Sequence, residues 1–235
     1  MAGQVNLEDF FRFYRSLPHQ MAAVRELAEA LPPELLKIDA PWVQTYRAAG
    51  KQPEIAPPSN PLRVRYFSQR DSNTSHAFRM CFSSSCAMLL DAIKPGVLRG
   101  PNGDDLFLGR VMRHGDTTYP TAQIRALRSY GVQATFRQTA DFDLIREQID
   151  NGIPVPCGFL HQGHVSAPSG QGHWLCVIGY DDHGLTVNDP FGDLDLIGGK
   201  YLNNWGAKLH YSYENFGPRW MVEGPKSGWS IIATL

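Results

Sequence analysis

"GQGHWLCVIGYDDHGLTVNDPFG", Gly170 to Gly192, holds two short β-rich runs parted by Asp181, Asp182, His183 and Gly184. Apolar, β-branched runs bounded by Gly, Asp and Pro read as two antiparallel strands joined by a tight turn. His173 opens the first strand after a Gly-rich loop, and Asp189 closes the second, directly before Pro190. In an antiparallel pair the start of one strand lies beside the end of the next, so this imidazole and this carboxylate can meet although they are far apart in sequence. A histidine held by a carboxylate is the base that a nucleophile needs. Each residue alone is a weak signal: a strand-end His is more often a surface residue, and Asp before Pro is a common turn starter.

A nucleophile is offered upstream by "RMCFSSSCAMLLDAI", Arg79 to Ile93, where two cysteines precede an apolar run of helical character. A thiol reacts as the thiolate, and a helix N-terminus favours that charge through its unpaired N–H groups and dipole. Cys81 sits where the helix should begin. Cys86 falls more than one turn inside it, among core residues, on a different face, which argues against an intrahelical disulfide or a shared metal. Most lone cysteines are small buried hydrophobes, and that reading stands beside the reactive one. Gln69 ends "LRVRYFSQ", whose alternation reads as a short strand, and its amide can donate to a developing oxyanion together with the Cys81 N–H. An exposed polar strand end is the commoner meaning of an isolated Gln.

Around these residues the organisation is that of an α+β chain. Asn6 caps a helix ended by Pro18, and Met21, Val24, Leu27 and Leu31 continue at helical spacing, so residues 1–47 read as a small helical appendage. Residues 48–61, "AAGKQPEIAPPSNP", have linker composition. Residues 62–235 form the main domain. In it "TAQIRALRSYG" and "DFDLIREQIDNG" read as helices, the latter capped by Asp141, while "IPVPCGFL" and "GPKSGWSIIATL" read as further strands. Helices first and an antiparallel sheet afterwards give an α+β domain. "GPNGDD" (Gly100 to Asp105) and "FGDLDL" (Phe191 to Leu196) read as polar turns.

Composition excludes several functions. Lys+Arg 22 against Asp+Glu 23 leaves a net charge of -1, with no basic field for nucleic acid. Four cysteines at irregular spacing make neither a disulfide framework nor a zinc site, and His161, His164 and His173 lack a carboxylate or Cys at ligand spacing, so no metal or cofactor is expected. No run approaches the roughly 18 apolar residues of a membrane span, and the acidic N-terminus lacks the features of an export signal, so synthesis in the cytoplasm is expected.

Taken together, "SQRD" (Gln69, Asp71), "CFSSSCAMLL" (Cys81 to Leu90) and "HWLCVIGYDDHGLTVNDPFG" (His173 to Gly192) resemble the papain-like cysteine peptidases, and within them the bacteriocin-processing, double-glycine-leader peptidases and their relatives. The resemblance spans about residues 62–195. It implies a papain-like α+β fold, Cys81 as nucleophile, His173 as base, Asp189 as its orienting acid and Gln69 in the oxyanion hole. Phe82 and Ser83 depart from the Gly-Pro that usually follows the nucleophile. No ATP-binding cassette follows, and the N-terminal "LEDFFRFYRSLPHQMAAVRELAEAL" is similar to helical segments of tailed-phage lytic enzymes. That similarity implies peptidoglycan peptide as substrate and wall or virion docking through the N-terminal helices. Acyl transfer of transglutaminase-like or phytochelatin-synthase-like type, and a non-catalytic binding module, are the alternatives.

Overall fold

The structure, a computed structural model, describes residues 59–234. The helical appendage expected over residues 1–47, and residues 48–58 of the linker, lie outside the described residues. The first element is a single 3-10 turn, Gln69–Asp71, followed by α1 (Cys81–Ile93), α2 (Gly103–Val111) and α3 (Pro120–Ser129). Then come β1 (Gln133–Ala140), α4 (Phe142–Asp150), β2 (Val155–Phe159), β3 (His173–Tyr180) and β4 (Gly184–Asn188). The chain ends with β5 (Asp193–Asp195), β6 (Lys200–Asn203), β7 (Leu209–Ser212), α5 (Tyr213–Trp220) and β8 (Gly228–Thr234).

Six strands form one sheet in the order β1-β8-β2-β3-β4-β7, every neighbouring pair antiparallel, and β5 pairs with β6 in a small second sheet. β3 is central and buried without alternation from Leu175 to Gly179, and both α1 and α4 pack against it. Asp141 caps α4 by accepting from the Leu144 N–H, as its sequence position predicts, and Ser212 caps α5 by accepting from the Asn215 N–H.

Three local expectations are corrected, the first being "FGDLDL", read as a polar turn, which holds the strand β5. Residues 62–69, read as a strand, form none: burial alternates only over Leu62, Arg63 and Val64 and shifts phase at Phe67, which is buried. Their backbone finds other partners: the Leu62 N–H donates to Ile178 and the Val64 N–H back to Leu62. The "GPNGDD" turn instead opens α2 at Gly103, where a side chain would collide with Phe67, its ring 2.8 Å from a Cβ placed there. Asp104 is buried in the first turn of that helix and accepts from the Ser84 hydroxyl of α1 at 2.6 Å. Among the described residues no helix is long and apolar enough to cross a membrane.

Candidate active site

Cys81 is the first residue of α1, and no side chain caps that helix, so its leading N–H groups have no side-chain partner. Ser83 and Ser84 are poor interior helix formers, but each is anchored. Ser83 lies 2.7 Å from the Thr117 hydroxyl and accepts from the Gln123 amide at 2.9 Å, while Ser84 binds Asp104. Cys86, one and a half turns on, is fully buried, and burial pushes its thiol well up.

His173 is 5 % exposed and Asp189 0 %, and the ring Nε2 lies 2.7 Å from Asp189 Oδ1. The pairing follows from the β3–β4 register, in which Cys176 faces Asn188 and the end of β4 returns to the start of β3. Asp189 is held rigidly: its Oδ1 also accepts from the Phe191 N–H, its N–H donates to Gly206, and its carbonyl accepts from the Tyr66 hydroxyl. Burial alone would depress the His173 proton affinity, but the charges of Asp189 and Cys81 and the hydrogen bond to Asp189 outweigh it and push the pKa up to about 10. With Nε2 taken by Asp189, Nδ1 is the ring nitrogen that remains for Cys81.

Gln69 is 1 % exposed and belongs to the 3-10 turn, not to a strand. Its N–H donates to Pro190, which ties it to the segment carrying Asp189, and its Nε2 donates to the Ala77 carbonyl at 2.7 Å. A carbonyl partner requires the NH₂ side of the amide there, and the second hydrogen on Nε2 stays unused.

Cys81, Gln69 and His173 line one cleft of about 790 Å³ with Phe82, Trp174 and Tyr201. His161 is also in its wall, its ring 5.5 Å from that of His173, and burial and the His173 charge hold its pKa down at about 4. His164 is exposed and bonds to Ser166. Among the described residues no group of three or more His, Cys, Asp or Glu is placed to hold a metal ion. Sequence reasoning missed Tyr201, whose ring packs 5.9 Å from His173, and Phe191, which lies under the Arg70 guanidinium. Tyr201 carried no signal beyond an aromatic among polar residues, whereas Phe191 was marked by its place directly after Asp189–Pro190.

Comparison with known proteins decides the lineage. A model described as Peptidase_C39 like family matches residues 61–219. The chain belongs to that family. It is a cysteine-type peptidase with the papain-like α+β fold, which agrees with the helices and antiparallel sheet described above. The Peptidase_C39 like match covers the 3-10 turn, α1 and the β3–β4 hairpin, and so every residue discussed at the site. Similar solved structures include a double glycine motif protease from an AMS/PCAT transporter in complex with the leader peptide. It is 16 % identical, with 73 % of this chain and 91 % of that one covered at a TM-score of 0.44. Another is the peptidase domain of Streptococcus ComA, a bi-functional ABC transporter, at 18 % identity, 66 % and 91 % coverage and a TM-score of 0.43. No curated protein matches the chain.

Proposed function

We propose that this peptidase hydrolyses an amide bond with Cys81 as nucleophile, His173 as acid and base, Asp189 as orienting carboxylate and Gln69 as oxyanion donor. The observation that carries this reading is the buried His173 ring, bound through Nε2 to Asp189 and sharing one cleft with Cys81 at the uncapped start of α1. At neutral pH the ring is protonated, and the sulfur reacts as its thiolate. The sulfur attacks the amide carbonyl, and the oxyanion forms between the Cys81 N–H and the free hydrogen on Gln69 Nε2. His173 then gives its proton to the departing amine. In the second half, His173 takes a proton from water as that water attacks the thioester, the carboxylic acid leaves, and the proton restores the imidazolium pair.

The proposed substrate is the peptide part of bacterial peptidoglycan, cleaved by a phage lytic or virion-associated enzyme made in the cytoplasm and docked through its N-terminal segment. Support for it comes from the N-terminal resemblance to phage lytic enzymes. Digestion of purified peptidoglycan, with mass spectrometry of the fragments, should release new free amino groups. Release of none, with cleavage of protein substrates retained, would overturn the wall substrate while leaving the mechanism. For the mechanism, Cys81→Ala should abolish hydrolysis and alkylation of the native protein, whereas Cys86→Ala should keep both. Equal labelling of the two sulfurs in the native protein would sink the assignment.

A further inference from the structure

Phe82 and Trp174 are the residues that follow Cys81 and His173 in the chain. Their rings lie face to face, 4° from parallel with centroids 3.5 Å apart. Trp174 in turn lies over Gly158, its cross-strand partner on β2, where an added Cβ would come within 2.8 Å of the indole. The position therefore accepts glycine while the indole stays in place. Phe136 packs 6.2 Å from Trp174 on another side. Phe82 is only 2 % exposed, so α1 cannot slide or roll over β3 without separating the two rings.

The stack thus joins the two elements that carry the sulfur and the imidazole, one residue away from each. Adjacent Cα atoms are about 3.8 Å apart, so little slack remains between the stack and the reacting atoms. We infer that the Phe82–Trp174 stack, seated on Gly158, is a positioning device that sets the separation and orientation of the Cys81 sulfur and the His173 ring. The inference rests on the Cys81–His173 reading proposed above. It also gives the departure from Gly-Pro a structural role. Phe82 supplies a ring that Gly cannot, and Ser83 locks the same turn to Thr117 and Gln123.

Alkylation of the native full chain with iodoacetamide tests this without a known substrate, because Cys86, Cys157 and Cys176 are buried and Cys81 is the accessible thiol. The informative quantity is the rate at about pH 6 divided by the rate at about pH 9.5, since an unpaired thiol reacts slowly at the lower pH and a sulfur facing an imidazolium does not. Phe82→Ala and Gly158→Ala should each lower this ratio about tenfold. Leu89→Ala, which empties core space two turns along the same helix, should change it less than about twofold. Gly158→Ala combined with Trp174→Phe should regain much of the loss, because the smaller ring makes room for the methyl group.

A wild-type ratio in both Phe82→Ala and Gly158→Ala, or an equal loss in Leu89→Ala, overturns the positioning role. Should Phe82→Ala fail to fold, Gly158→Ala and its double variant decide alone. A wild-type ratio no higher than that of free cysteine overturns the Cys81–His173 reading itself, and this inference with it.

Discussion

At the scale of single residues, His173 is the group on whose charge the proposed mechanism depends. Its pKa is raised to about 10, against a reference near 6.5 in the unfolded chain, so folding favours the protonated ring. The stability it contributes is therefore fully present below about pH 6.5 and is lost as pH rises through about 10. Asp189→Asn removes the charge that holds the ring and leaves an amide in its place. We expect hydrolysis to fall by about two to four orders of magnitude. Thermal unfolding followed across pH should show the variant destabilised most near pH 6, with the gap closing above about pH 10. A gap that stays constant over this range would mean that the pair contributes packing and no charge. His161, only 5.5 Å away, is driven the other way, to about 4, and stays neutral through the same range. Gln69, Cys81, His173 and Asp189, the four residues of the proposed mechanism, could be singled out in sequence because each stands at or beside the end of an element, where turn and capping chemistry leaves a recognisable local pattern. The Phe82–Trp174 stack was not, since a stack depends on two rings meeting across the fold.

At the scale of elements, α1 is fastened by polar contacts on one side and aromatic contacts on the other. The polar side ends in Asp104, fully buried in α2, which accepts from Ser84 through one oxygen while the other has no partner among the described residues. Burial raises this carboxyl from 3.8 to about 6, so the folded state holds its proton more tightly than the unfolded chain does. For an acid shifted upwards, stability falls as pH rises through the interval from 3.8 to about 6, and the penalty persists above it. Asp104→Asn keeps an acceptor for Ser84 and removes the charge. It should therefore stabilise the protein above pH 6 by on the order of 2 kcal/mol and make little difference near pH 4, as read from denaturant midpoints. Equal midpoints at pH 8 would show that the carboxylate is solvated in a way its burial does not suggest. The helix carrying Asp104 was hidden in sequence, because Gly103 and its two following acids look like a turn. That Gly is there because Phe67 and Leu98 leave no room for a side chain.

Across the whole molecule, legibility follows position in the sheet. The central strands β2, β3 and β4 were readable because burial on both faces demands continuous apolar runs, whereas β1 and β7 are the edge strands and carry polar residues on their open sides. α5 was missed because Gly217 and Pro218 read as breakers. It persists because Ser212 caps it and Phe216 and Trp220 bury their rings. The same helix carries Arg219, which ties the cleft rim to the small sheet. Its guanidinium is buried and donates to Leu160, Gln162 and Gly163 at the rim, and to Leu196 and Ile197 beside β5. Five carbonyls from two loops converge on a planar fork, a geometry that a lysine ammonium cannot reproduce. Arg219→Met would fill the space but strand these acceptors, at a cost of roughly 3–5 kcal/mol. Arg219→Lys should recover only part of that. Because the rim residues sit next to His161 and His173 while Arg219 bonds to neither ring, the damage should appear as lower unfolding stability and faster proteolysis between Leu160 and Gly172. Alkylation of Cys81 in the folded fraction should stay near the wild-type rate. Loss of Cys81 reactivity in a folded Arg219→Lys protein would show instead that the rim and the Cys81–His173 pair move as one unit.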